Sequence, residues 1–97
     1  MADELSEPLR PDDCRLLIRT ILQSGRFTYS KHAKEEMLAD DMTTVDCENV
    51  LRGGVVQPPD FEKGSWRYRF ATSRMAVVVT FRSSTELVVV TAWRVKR

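Results

Sequence analysis

A single histidine, His32, serves the whole of this 97-residue chain. That scarcity excludes a two-histidine acid–base pair. With no Cys-x-x-Cys either, it leaves no ligand set for a zinc ion. The two cysteines, Cys14 and Cys47, lie far apart and each falls on an apolar helical stripe. Such a pattern reads as buried free thiols in a reducing cytoplasm rather than as a disulfide or a nucleophile. No apolar run approaches the roughly 20 residues that span a bilayer. The acidic start, Met-Ala-Asp-Glu, lacks the basic-then-apolar layout of a secretion signal, so a cytoplasmic location is expected. Gly53-Gly54 is not followed by Lys-Ser/Thr and reads as a helix stop, not a phosphate loop. Repeats, heptads and low-complexity segments are also missing. Nothing in the residues calls for a cofactor or a metal.

Acidic residues are scarce in one half only. Residues 61–97 carry eight basic side chains but just two acidic ones, Glu62 and Glu86, whereas residues 1–60 carry seven basic and twelve acidic. An acidic half joined to a basic one points to a polyanion as partner of the second, unless the halves neutralise each other across their own interface. A hydrophobic share of 42% and a charged share of 30% are those of a soluble globular protein. A chain of this length forms one domain that buries roughly 60–65% of its unfolded surface.

Residues 1–8 are polar and expected to fray. Residues 9–54 read as mainly helical. Pro11 suits a first helical position, with Asp12 and Asp13 in the first turn. Cys14, Leu17, Ile18, Ile21 and Leu22 then share a stripe, and Gly25 is expected to close the helix as a left-handed cap. Arg26–Tyr29 is a short strand. Ser30 is an N-cap that places Lys31 and His32 at the first two positions of a second helix, where outward-pointing N–H groups favour an anion. Thr43 and Asp46 resemble a capping box opening a third helix, which Gly53-Gly54 stops. From residue 55 to 97 the period changes to two. Val55–Gln57, Trp66–Ala71, Met75–Arg82 and Leu87–Val95 are strands of an antiparallel meander. The expected fold is α+β: an N-terminal helix and two short helices on one face of an antiparallel sheet of four to five strands.

Strict alternation puts Arg67, Arg69, Thr80, Arg82 and Arg94 together on the sheet face away from the helices. Arginine forks bind phosphate bidentately and stack on bases, so this face is a candidate groove for RNA or DNA. Metal-free RNA cleavage through the 2′-hydroxyl needs a base, a proton donor and cations around the phosphorus. His32 is the candidate base or acid, and Arg69 and Arg94 the candidate phosphate stabilisers. Lys31, Arg67 and Arg82 are candidate RNA contacts, with Tyr68 or Trp66 stacking on a base. By alternation, however, Tyr68 and Trp66 point away from Arg69.

The run Tyr-Ser-Lys-His-Ala-x-x-Glu-Met, then Val-Leu-Arg-Gly-Gly-Val-Val, Trp-Arg-Tyr-Arg-Phe and Val-Val-Val-Thr-Ala-Trp-Arg, covers residues 27–94. It resembles a domain-of-unknown-function family of small bacterial proteins related to RelE/ParE-like toxins. Such proteins are often paired with an antitoxin bearing a YgiT/MqsA-type zinc finger and a helix-turn-helix. The resemblance implies a RelE-like toxin fold and, by analogy, mRNA interferase activity, with hallmark positions at His32, Ala33, Met37, Gly53, Arg69 and Arg94. This chain departs from the pattern at Asp40-Asp41, where many members carry an arginine. The first expectation is therefore the toxin of a type II pair, a metal-independent endoribonuclease with RNA and a cognate antitoxin as partners. The second is a non-catalytic nucleic-acid- or protein-binding module of the same fold.

Overall fold

In the computed structural model, which describes residues 5–95, the chain is α+β, with three helices and a six-stranded, mostly antiparallel sheet. In order these are α1 (Pro11–Ser24), β1 (Arg26–Tyr29), α2 (Lys31–Ala39), α3 (Thr44–Gly53), β2 (Val55–Val56), β3 (Asp60–Glu62), β4 (Ser65–Ala71), β5 (Met75–Ser83) and β6 (Glu86–Arg94). Among the described residues, no helix is long and apolar enough to cross a membrane.

Local chemistry accounts for the helix ends. Pro11 stands in the first turn of α1, where its missing N–H costs nothing. The Ser30 hydroxyl accepts from the Ala33 N–H at 3.0 Å and caps α2. Thr43 and Asp46 form the reciprocal capping box of α3, each side chain taking the other's backbone N–H. Gly25 differs from expectation. Its backbone is extended (φ −100°) rather than left-handed. What requires glycine there is space: a Cβ would lie 2.6 Å from the Thr85 carbonyl oxygen, where the β5–β6 turn closes on the end of α1.

The sheet runs β1-β6-β5-β4-β2, with β3 also paired to β4. β2 and β3 form one arm of a hairpin with β4, interrupted at Pro58-Pro59. Lys63 (φ 51°) and Gly64 (φ 81°) make its two-residue turn, and Glu62 faces Ser65 across it. The meander expected from the sequence is completed by a parallel strand: β1 pairs with the first half of β6, from Arg26↔Glu86 to Tyr29↔Val89.

Two details of β6 position everything on the sheet. The β5–β6 register passes from Val79↔Val89 to Val78↔Thr91, so Val90 is an extra, bulged residue. A bulge reverses which face each later side chain takes. Leu87 and Val89 are in the core, and beyond the bulge Ala92 joins them, paired to core Val77. Thr91 and Trp93 therefore turn to the open face, against the phase that strict alternation assigns them. Past the end of β1, α2 runs beside the second half of β6. The Ser30 hydroxyl donates to the Val90 carbonyl (2.9 Å), and the Arg94 N–H donates to Asp40 Oδ2 (2.8 Å). These side chains satisfy backbone groups that an exposed edge would leave open.

The core lies between the sheet and the helices. Ile18, Ile21, Val50 and Leu51 meet Tyr68, Phe70, Val77 and Leu87, all essentially inaccessible to solvent. Tyr68 is fully buried, so its expected place as an RNA-stacking residue is corrected. Its hydroxyl accepts from the Leu9 N–H (2.9 Å) and donates to Glu7 Oε2 (2.8 Å). That phenol ties the segment before α1 to the core, and Leu5 and Leu9 pack there too. Residues 1–4, Lys96 and Arg97 lie outside the described residues.

Cys14 and Cys47 are buried free thiols. Burial pushes Cys14 up to about 12 and Cys47 up to about 11, from an ordinary value of 9.0, and raises the Tyr29 and Tyr68 hydroxyls as well. Unfolding returns the thiols to their ordinary range. Above about pH 9 the unfolded chain then releases protons that the folded chain retains. This contribution to stability is complete below about pH 9 and is lost as the pH rises through the folded values. Urea midpoints measured at about pH 8 and about pH 10.5 should therefore fall with pH; equal midpoints would contradict the burial argument.

Candidate nucleic-acid interface

On the open face, Arg69, Val78 and Thr91 stand in one cross-strand row, with Ala76 and Trp93 in the next. Neighbouring strands are about 4.8 Å apart, so these side chains share one small area. The floor is apolar and nearly closed to solvent: Ala76, Val78 and Val88 are all buried. Above it lies a shallow basin of about 120 Å³, lined by Asp60, Glu62, Arg67, Arg69, Val78, Thr91 and Trp93.

Each arginine has its own setting. The Arg69 guanidinium lies over the Trp93 ring, 5.3 Å from its centroid, a cation–π contact. Arg67 stands directly opposite Asp60 across the β3–β4 ladder. Its Nε is buried without a hydrogen-bond partner. An enclosed donor of this kind is costly unless something arrives to accept from it. Asp60 and Glu62, both exposed, form no ion pair with either arginine among the described residues. The β3 arm thus brings two carboxylates onto the face beside these arginines.

At the β6 edge, α2 presents Lys31 and His32 in its exposed first turn. His32 Nε2 lies 3.3 Å from Glu36 Oε1, one turn further along. The same carboxylate oxygen accepts from the Thr91 hydroxyl. Glu36 therefore joins the only imidazole of the chain to a side chain that lines the basin. His32 remains two-thirds exposed.

Other expected members are placed elsewhere. Arg94 does not share the open face, because the Val90 bulge turns it to the helix side. There Nε donates to the Asp40 carbonyl (2.7 Å), Nη2 donates to the Asp41 carbonyl (2.9 Å), and Asp46 Oδ2 lies 3.7 Å away. Arg94 thus clamps the α2–α3 turn, a favourable place for a cation beside terminal helix carbonyls. Arg82 is exposed at the second register shift, between Phe81 and Ser83, and does not line the basin. Trp66 packs against the core and meets Phe61 edge-on, with centroids 5.2 Å apart. The sequence reading missed Trp93, Thr91, Asp60 and Glu62. The run Val88-Val89-Val90 was the available signal: three successive valines fit either face, so the phase beyond them was open.

Comparison with protein-family models, curated proteins and solved structures finds no match to this chain. Among the described residues, no group of three His, Cys, Asp or Glu side chains is placed to hold a metal ion.

If Arg94 is a clamp, Arg94→Ala should cost about 1–2 kcal/mol, allowing for a partly exposed guanidinium. Thermal unfolding followed by circular dichroism should then show a melting temperature lower by roughly 5–10 °C. An unchanged melting temperature would contradict the clamp.

Proposed function

We propose that the protein is a metal-independent endoribonuclease, acting as the toxin of a bacterial toxin–antitoxin pair. The observation that carries this reading is the chain His32–Glu36–Thr91, which links the only imidazole to a basin holding Arg67 and Arg69. RNA carries its own nucleophile, so cleavage needs a positioned base and charge stabilisation rather than a metal-bound water.

In this reading the backbone of a single strand crosses from the α2 N-terminus to the basin. His32, held by Glu36, takes the proton of a 2′-hydroxyl. The 2′-oxygen attacks the adjacent phosphorus, a 2′,3′-cyclic phosphate forms, and the 5′-oxygen leaves with a proton from solvent. Arg69, held over Trp93, offsets through its N–H edge the charge that grows on the phosphoryl oxygens. Lys31 and the first-turn N–H groups of α2 hold a neighbouring phosphate. Arg82 lies outside the basin and acts as a further backbone contact for longer RNA. An antitoxin silences such an enzyme by covering this face. An acidic segment is suited to that, because it would compete for the same cations.

Two variants test the assignment on a fluorophore-labelled RNA. His32→Ala should abolish cleavage while leaving affinity within about twofold. Arg69→Ala should weaken binding and reduce the slope of log affinity against log salt by about one. Retained cleavage in a rigorously purified His32→Ala protein would sink the catalytic reading. Salt-dependent binding with no cleavage by the wild type would favour the non-catalytic binding module.

A further inference from the structure

A face that only gripped phosphate would gain nothing from carboxylates, which repel it. Yet the β3 arm places Asp60 and Glu62 on the basin wall beside Arg67 and Arg69. Neither carboxylate is paired with those arginines, so both keep free acceptor oxygens. Resting on the ribonuclease reading, we propose that the basin is a base-reading pocket and that it selects guanine.

The argument is one of complementary edges. Carboxylates accept from base donors, and guanine alone among the four RNA bases offers an adjacent N1–H and N2–H pair that one carboxylate can take together. Its other edge carries O6 and N7, two acceptors that an arginine fork matches bidentately. Arg67, which lines the basin, supplies that fork. Arg69 is held over Trp93 at the basin, where its guanidinium is available for a splayed base to stack on. A basin of about 120 Å³ suits one base rather than a run of nucleotides. Adenine and cytosine each present one exocyclic amine and no neighbouring N–H donor. Uracil presents a single N–H between two carbonyls, which the carboxylates would repel. Only guanine satisfies both the acidic and the basic wall.

The test uses the full chain carrying His32→Ala, so that RNA is not consumed. One arm titrates uridine hexamers holding a single guanine, inosine, adenine or cytosine, read by anisotropy. The other titrates the corresponding 5′-monophosphates, read by the Trp93 indole NMR signal. The guanine ligand should bind roughly tenfold or more tightly than adenine or cytosine. Inosine, which lacks the N2 amine, should fall between them. Asp60→Asn together with Glu62→Gln should erase the preference and leave the protein folded, since both side chains are exposed. Equal binding of all hexamers would overturn guanine selection while leaving the ribonuclease reading intact. So would a preference that survives the double variant. Guanine preference in both arms, without RNA cleavage by the wild type, would uphold the pocket and overturn the ribonuclease. No binding of any RNA or nucleotide would overturn both.

Discussion

The hydroxyl of Ser30 does two things at once, and the arrangement of the open face depends on it. It accepts from the Ala33 N–H, which starts α2, and donates to the carbonyl of Val90, the bulged residue of β6. The Ser30 N–H, meanwhile, donates to the Val89 carbonyl and ends the parallel pairing of β1. One residue thus fixes where β1 stops, where α2 starts and where β6 changes phase. Everything beyond follows: Thr91 and Trp93 face the basin, Ala92 enters the core, and Arg94 reaches the helices. An N-cap hydroxyl alone is worth about 1 kcal/mol. Here the same oxygen also satisfies a strand carbonyl at a site where β1 no longer covers the edge.

The strand arginines show how little residue type alone decides. Arg67, Arg69 and Arg94 all sit on strands, and all would bind phosphate if free. Arg94 is occupied by two helix-end carbonyls and the Asp46 carboxylate. Arg69 lies over an indole. Arg67 is the one whose buried donor lacks a partner. Aspartates occupy the α2–α3 turn at residues 40 and 41, and Arg94 enters that turn from the sheet to hold its carbonyls.

Much of the architecture was legible in the sequence because local rules govern it. The helical stripe of Cys14, Ile18 and Ile21, the Ser30 cap, the Thr43–Asp46 box and the period of two after residue 55 each name their element directly. The site was less legible, for reasons that are specific. A bulge adds one residue without a composition signature when its neighbours are all valine. The parallel pairing of β1 to β6 depends on a partner far along the chain. Dividing the charges at residue 60 counted Asp60 with the helical half, although the Lys63-Gly64 turn folds it back beside Arg67. Tyr68 was ambiguous for another reason: its ring belongs to the core, while its hydroxyl serves the segment before α1.

The pairing of β1 with β6 also governs when this protein comes into being. Ser30 and Val90 are 60 residues apart, so the contact that sets the face cannot form until β6 has been made. At synthesis rates of roughly 5–20 residues per second, α1, β1, α2 and α3 wait several seconds for the strand that completes them. A sheet closed by such distant partners has high contact order and folds slowly for its size. Throughout that interval the apolar stripes of the helices lack their sheet and are open to chaperones or to an early-binding partner. The basin, built from β3, β4, β5 and β6, is the last feature to exist on a nascent chain and is complete only once Trp93 has been made.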